Sequence, residues 1–243
     1  MLHSVQHHTS LPRVKPGLAI VIPVLDEAAT VGPALQALAA WRAQGRVEVI
    51  VVDGQSNDGT VAAARDGADR IVNSMRGRAR QMNAGASKAA AEVLLFLHAD
   101  TRLPENAPDL VEAALRDSGA VWGRFDVCIE GKARSLRMVA ALMNRRSRLT
   151  GIATGDQAIF VTRAAFDAVG GYPDQPLMED IEFSASLRRI GRPVCLAACV
   201  VTSGRRWERH GVWRTVFLMW RLRALYWLGV SPQRLARRYR AVR

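Results

Sequence analysis

The chain has little cysteine: Cys128, Cys195 and Cys199 are the only three in 243 residues. That is too few for a disulfide framework, and the odd number fits a reducing compartment. The spacing in "CLAAC" is wrong for a CxxC redox or zinc pair. On a strand over 193–202, Cys195 and Cys199 are two apolar side chains on one face. No apolar run approaches the roughly 18 residues that span a bilayer. The opening "MLHSVQHHTSLPRVKPG" has no apolar centre of the secretory type, so residues 1–16 read as a flexible tail and the expected location is the cytoplasm. No GxGxxG follows the first apolar run and no GxxxxGK[ST] occurs anywhere, which argues against a dinucleotide-binding Rossmann site and against a P-loop. A Ser/His/Asp or Cys/His arrangement for covalent catalysis is also missing.

Acidic residues are scarce at one end. From Arg205 to the C-terminus there are eleven arginines and one acid, Glu208, so this segment holds +10 of the net +12. The remainder is close to neutral. A basic end of this kind suits polyanions: phosphate-bearing substrates, an anionic membrane surface or nucleic acid.

About half the residues, 49%, are hydrophobic, which is ample for a globular core. Continuous apolar runs "LAIVIPVL", "VEVIVVDG", "RIVNS" and "VLLFLHAD" alternate with helical segments "TVGPALQALAAW", "DGTVAAARDGA" and "RARQMNAGASKAAA". That alternation predicts a parallel sheet covered on both faces. After residue 120 the pattern is mixed, with strands in "VWGRFDVCIE", "QAIFVTR" and "RPVCLAACVVTS" and helices in "MEDIEFSASLRRIG" and "WRTVFLMWRLRALYWLG". One domain over 17–243 is the simplest parse, with 205–243 a basic helical extension.

In open α/β sheets ligands bind at the carboxyl ends of parallel strands. Three of the predicted strands deliver acids there: Asp26 and Glu27 after the first, Asp53 after the second, Asp100 after the fourth. Asp58 reads as a helix cap. Asp53 and Asp100 at the ends of apolar strands would repel unless a cation or hydrogen-bond donors stabilise them. A hard cation suits Asp100, since Mg²⁺ and Mn²⁺ take one or two carboxylates and fill their shell with phosphates and water. His98, two residues earlier on the same strand, would share a face with Asp100 and act as a packing or supporting residue. Arg78 and Arg80 are the candidate phosphate-binding cations.

The ordered set "VIPVLDE", "VVDGQSNDGT", "RGRARQMNAGA", "LLFLHADT" and "GDQAIFVTRAAFDAVGGYPDQPLMEDIEF" resembles glycosyltransferase family 2 over roughly residues 18–205. With its helical tail, the chain is similar to the short, soluble radical-SAM/selenodomain-associated branch, the arsenosugar-biosynthesis type. The resemblance implies a GT-A fold: α/β, a mostly parallel central sheet with helices on both faces and a C-terminal helical extension. It also implies that Pro23, Glu27 and Asp53 hold the nucleoside of a nucleoside diphosphate sugar and that Arg80 approaches the nucleotide. "HAD" stands where the family has DxD, with Asp100 as the metal-binding acid and His98 replacing the first acid. "MED" matches the ED motif, which makes Asp180 the expected base and Glu179 its neighbour. "SGRRW" echoes QxxRW with Ser203 in place of glutamine, leaving Arg206 and Trp207 near the diphosphate or the acceptor. Asp156 and Gln157 of "GDQ" are either acceptor contacts or part of a turn.

These assignments predict an inverting, metal-dependent transfer, with Mn²⁺ or Mg²⁺ as cofactor. A sugar would pass from a nucleoside diphosphate, uridine by resemblance, to a hydroxyl on a small-molecule or lipid-linked acceptor. The ion would neutralise the departing diphosphate and Asp180 would take the proton of the attacking hydroxyl. The acidic helix start in "MED" could also serve the helix dipole alone. A sugar nucleotidyltransferase would need a GxGTRL-type loop, which "VIPVLDE" is not. The remaining alternatives are a non-catalytic nucleotide-sugar-binding protein and a basic polyanion-binding module, the latter without any nucleic-acid recognition motif. For the C-terminal helix, with Trp213, Phe217, Trp220, Tyr226 and Trp227 among Arg214, Arg221 and Arg223, packing or a homodimer interface is preferred over peripheral membrane contact.

Overall fold

The computed structural model describes residues 17–241; the tail expected over 1–16 lies outside the described residues. The first half builds the parallel core. Strand β1 (Leu18–Val24), helix α1 (Ala28–Ala43), β2 (Val47–Asp53), α2 (Thr60–Ala64), β3 (Arg70–Asn73), α3 (Arg78–Lys88) and β4 (Val93–Phe96) follow one another. Their strands lie side by side, all parallel, in the order β3-β2-β1-β4. All seven residues of β2 are buried, because helices cover both faces and no position along the strand meets water. Besides Asp53 at its end, the strand buries one charged residue, Glu48, and it is paired: Arg70 Nε donates to it at 2.9 Å and Ala90 N at 2.7 Å.

The second half adds β5 (Thr101–Arg102), α4 (Ala107–Ser118), β6 (Trp122–Glu130), α5 (Ser135–Thr150), a 3-10 turn (Gly155–Gln157), β7 (Phe160–Thr162), α6 (Arg163–Ala168), α7 (Glu179–Ile190), β8 (Val194–Ser203), α8 (Arg205–His210), α9 (Val212–Trp227) and α10 (Pro232–Ala241). β7 runs antiparallel to both β4 and β6, and β8 pairs parallel to β6 and antiparallel to β5. The result is one eight-stranded sheet, β3-β2-β1-β4-β7-β6-β8-β5. It is GT-A-like: a mixed, mostly parallel sheet, helices around it and a helical C-terminal region.

The fourth strand ends earlier than its apolar run suggests. β4 stops at Phe96, and Thr101 N donates back to His98 O at 3.0 Å, closing a turn. The chain then changes neighbours, since β5 pairs with β8 and not with β1. His98 and Asp100 therefore do not share a strand face: His98 is turned inward, its side chain 11% exposed, while Asp100 stands exposed at the turn.

Helix α9 packs its inner face on the head of α7. Leu222 forms a small core with Met178, Ile181 and Leu235, and the Tyr226 hydroxyl donates to Glu182 Oε2 at 2.7 Å. The other face of α9 is left exposed at Trp213, Phe217, Trp220 and Trp227, positions that recur at helical spacing along one stripe. Among the described residues no helix is long and apolar enough to cross a membrane.

Candidate active site

The parallel order β2-β1-β4 brings the ends of three strands together, as the acids at those ends require. Asp53, the last residue of β2, is buried and accepts from Gln55 N at 3.1 Å and Ser56 N at 3.2 Å. Its carboxylate is thus oriented by the loop that follows it. Asp26 accepts from Asn57 N at 2.8 Å, and its own N–H donates to Ser56 Oγ at 2.9 Å, so the loops after β1 and β2 are tied to each other. Asp58 belongs to the same stitching, accepting from Ala28 N at 3.1 Å and Thr60 N at 2.9 Å. Glu27 N donates to Thr60 Oγ1 at 2.7 Å and the Glu27 carboxylate accepts from Thr30, while Pro23 sits half-buried in β1 opposite Val52.

Beneath these loops lies Gln81, which the sequence reading passed over inside "RARQMNAGA". Its buried Nε2 donates to Val24 O at 2.8 Å and Val52 O at 2.9 Å. These are carbonyls where β1 and β2 part, so the amide bridges the opening of the crevice, sharing Val24 O with the Gly54 N–H at 2.9 Å. One turn further on, Gly85 lets α3 lie against the sheet; a Cβ there would stand 2.4 Å from Val21 Cγ1.

The acids of α7 face this crevice from the other side. Asp180 Oδ2 accepts from Gly155 N at 2.9 Å and Oδ1 from Ile181 N at 2.8 Å. Gly155 is pressed between Asp180 and His98: a Cβ would meet His98 Nε2 at 2.7 Å and Asp180 Oδ2 at 3.9 Å. His98 Nδ1 in turn faces Asp156 Oδ1 at 3.2 Å. A small cavity connects them, lined by Arg78, Phe96, His98, Tyr172, Glu179 and Asp180 among others. Glu179 is buried, and burial, followed by the neighbouring Asp180 charge, pushes its pKa up to about 7, against the opposing pull of Arg78 and His98. Burial, then Asp180 and Glu179, likewise raises the Tyr172 phenol well above its ordinary value. The Tyr172 ring stacks on Phe183, 3.9 Å between centroids, and its backbone is clamped by Asn83, which donates to Tyr172 O at 2.8 Å and accepts from Tyr172 N at 2.9 Å.

Four residues other than glycine have positive φ among the described residues: Asp26, Gln55, Ala158 and Met178. Two sit in the loops after β1 and β2, one follows the turn that carries Gly155, and Met178 directly precedes Glu179. Such backbone costs roughly 1–3 kcal/mol each and gathers where a fold holds functional groups in place.

Some expected residues lie elsewhere. Gln157 is fully buried, its Oε1 accepting from Thr154 N at 3.2 Å and its Nε2 donating to Asn144 Oδ1 at 3.4 Å. That amide caps the turn that carries it. Arg80 is exposed and engaged by Asp174, Nε to Oδ1 at 2.8 Å, whereas Arg78 lines the cavity. Trp207 packs against the main hydrophobic core rather than beside Asp180. The side chain of Arg206 lies outside the described residues.

For a divalent cation the donor set is open. Asp100 is exposed, its carboxylate receiving only the Thr101 hydroxyl at 3.4 Å, and among the described residues no three His, Cys, Asp or Glu side chains converge to hold a metal. This fits an ion that takes one protein carboxylate and completes its shell from phosphate and water, not one caged by the protein.

Taken together, a 3-2-1-4 parallel core with acids after its strands and an acidic pair on a later helix marks the candidate site. Comparison with known proteins identifies the family. The family model for Glycosyl transferase family 2 matches residues 19–167, and the chain belongs to that family. A probable glycosyltransferase of Bacillus subtilis (strain 168), YdaM, is 23% identical over 226 residues, covering 82% of this chain. The chain spans about half of that relative, 53% of its length. Among solved structures, the mannosyltransferase PcManGT from Pyrobaculum calidifontis in complex with GDP-Man and Mn²⁺ superposes with a TM-score of 0.59 at 22% identity, over 83% of this chain and 60% of that one. S. aureus TarS 1–349 in complex with UDP gives 0.61 at 16% identity, over 80% and 62%. Glucosyl-3-phosphoglycerate synthase from Mycobacterium tuberculosis, with Mg²⁺ and UDP, gives 0.58 at 19% identity, over 77% and 70%. At these identities the structural likeness concerns the fold.

Proposed function

We propose that this chain transfers a glycosyl group from a nucleoside diphosphate sugar, most simply a uridine one, to an acceptor hydroxyl with inversion at the anomeric carbon. The observation that carries the reading is the placement of Asp180. It is held by the Gly155 and Ile181 N–H groups at the head of α7, and it lines one cavity with His98, Arg78 and Phe96, the last residue of β4. Pro23, Glu27 and Asp53 would receive the nucleoside, with Arg78 and Arg80 near its phosphates. Asp100 would hold Mn²⁺ or Mg²⁺, which when bound neutralises negative charge on the departing diphosphate. Asp180 removes the proton from the attacking hydroxyl, and single displacement needs no protein nucleophile. Glu179, buried beside it with a pKa near 7, keeps a second full charge from forming next to the base. The nucleotides named in the complexes of structural neighbours, UDP and GDP-Man, support the donor class.

Residues 17–243 are proposed to work as one unit, in a short branch of the family of the radical-SAM/selenodomain-associated, arsenosugar-biosynthesis type. The inner face of α9 closes the Asp180 side of the crevice. Packing covers only the inner face of α9; its exposed aromatic stripe, flanked by arginines, would serve as a homodimer interface or else rest on an anionic membrane surface within reach of a lipid-linked acceptor.

The test is calorimetric titration of UDP, GDP and dTDP with and without Mn²⁺ into the wild type, Asp100→Ala and Asp180→Asn. Metal-dependent binding of one nucleotide, lost in Asp100→Ala and kept in Asp180→Asn while transfer disappears, supports the reading. Binding of none of the three by folded protein overturns it.

A further inference from the structure

Two arginines that no motif flagged, Arg146 and Arg223, both act on Asp180. Arg146 lies near the end of α5 and Arg223 near the middle of α9. Nε and Nη2 of Arg146 are both buried and neither has a hydrogen-bond partner. Burial and then the charge of Arg223 push the Arg146 pKa down to about 10, and Asp180 is the group that pulls it back up. Arg223 is likewise lowered by burial, with Asp180 and Asp156 opposing. Both side chains remain cations at neutral pH.

Arg146 is left short of hydrogen-bond partners. Two guanidinium groups are withdrawn from water beside each other; Asp180 acts on both and Asp156 on Arg223, yet the Asp180 oxygens already accept from two backbone N–H groups and Arg146 Nε and Nη2 stay unpaired. Glu179 faces Arg78 and His98 instead. Withdrawing a cation from water without a partner is costly, and here the cost is concentrated in unpaired guanidinium donors at the edge of a substrate crevice. A guanidinium fork matches the oxygens of a phosphate or carboxylate.

We infer that Arg146 and Arg223 form an oxyanion subsite for the acceptor: a phosphate or carboxylate on the acceptor docks between them and sets its hydroxyl against Asp180. The inference rests on Asp180 as the base and adds the chemical class of the acceptor. The same oxyanion chemistry could come from the donor's diphosphate, and the test separates the two sources.

The experiment titrates inorganic phosphate, and separately UDP with Mn²⁺, into the full-length wild type, Arg146→Met and Arg223→Met, with thermal melts of each in the presence and absence of phosphate. Phosphate is expected to bind the wild type and raise its Tm. Each Met variant should lose phosphate affinity by about tenfold or more and bind UDP within about twofold of wild type, and Arg146→Met should melt no lower than wild type without ligand because an unpaired buried cation has gone. UDP should not displace phosphate. The inference is overturned if phosphate fails to bind, if both variants bind it normally, or if UDP competes with phosphate and is lost with it, which would assign the arginines to the donor. Should the wild type bind phosphate at these arginines yet bind none of UDP, GDP and dTDP, the donor reading fails while the oxyanion subsite stands.

Discussion

Gly155 N donates to Asp180 Oδ2 at 2.9 Å, and the same glycine leaves no room for a side chain against His98. One backbone position thus fixes the carboxylate proposed as the base and sets its spacing from the turn that carries Asp100. Loop, imidazole and helix head are in contact, so displacement of one is felt by the others.

Gly155→Ala is expected to reduce transfer while leaving the fold intact. The new Cβ would lie 2.7 Å from His98 Nε2 and 2.8 Å from Cε1, so the ring must swing away from Asp156 or the turn must lift from Asp180. Misplacement by about 1 Å near reacting atoms costs on the order of a hundredfold in rate. Steady-state kinetics with a circular-dichroism melt checks this: kcat should fall by roughly ten- to a hundredfold with Tm within a few degrees. An unchanged kcat would remove Gly155 from the positioning of Asp180.

Gln81→Leu should destabilise more than a surface change and also loosen nucleotide binding. The substitution keeps bulk but removes the amide donor that Val24 O and Val52 O share; Val24 O keeps the Gly54 N–H at 2.9 Å, and a buried acceptor that loses its donor costs about 1–3 kcal/mol. Urea denaturation is expected to show a loss of about 1–3 kcal/mol. Since the two carbonyls mark the point where β1 and β2 separate, UDP affinity should fall too, whereas a purely structural defect would leave the affinity of the folded fraction untouched.

The parts of the fold that were readable in sequence are those buried on both sides. β1 and β2 appear as unbroken apolar runs because no face of either strand meets solvent, and their acids follow directly, so Asp53 could be placed from the sequence. α5 escaped notice because little of its face is apolar and buried, chiefly Leu136, Val139 and Ala140, with arginines between. Arg146 went with it, and its meaning depends on Arg223, which reaches it only after α9 folds back onto α7. Gln157 shows the reverse: a polar residue in a family-like motif whose amide caps its own turn. The end of β4 was misplaced since an apolar run does not record a change of strand partner.

The stripe of Trp213, Phe217, Trp220 and Trp227 predicts salt-sensitive membrane binding. These side chains are 52%, 65%, 59% and 72% exposed, with Arg214 and Arg221 exposed on the same helix. Co-sedimentation with vesicles containing anionic lipid should retain the wild type at low salt, release part of it at high salt, and retain Phe217→Ser/Trp220→Ser poorly. If the wild type stays in solution but sediments as a dimer that the double variant abolishes, the stripe is a subunit interface instead.

Glu179 predicts how stability depends on pH. Its pKa in the folded protein, about 7, lies above the ordinary 4.5, so between those values the folded state binds more protons than the unfolded one. Stability contributed by the protonated group is therefore complete below about pH 4.5 and is lost as the pH rises through 7, at up to about 1.4 kcal/mol per pH unit. Glu179→Gln keeps the shape and cannot ionise, so it should escape this loss. Denaturation at pH 5 is expected to find the variant and wild type close, and at pH 8 to find the variant more stable. The surplus has a definite source, burial of the carboxylate and the Asp180 charge beside it, so in Glu179→Gln/Asp180→Asn the pH dependence from this pair should vanish. A stability difference between wild type and Glu179→Gln that stays constant from pH 5 to 8 would mean that Glu179 titrates normally, and with it the idea that a protonated Glu179 spares the base a second neighbouring charge would fall.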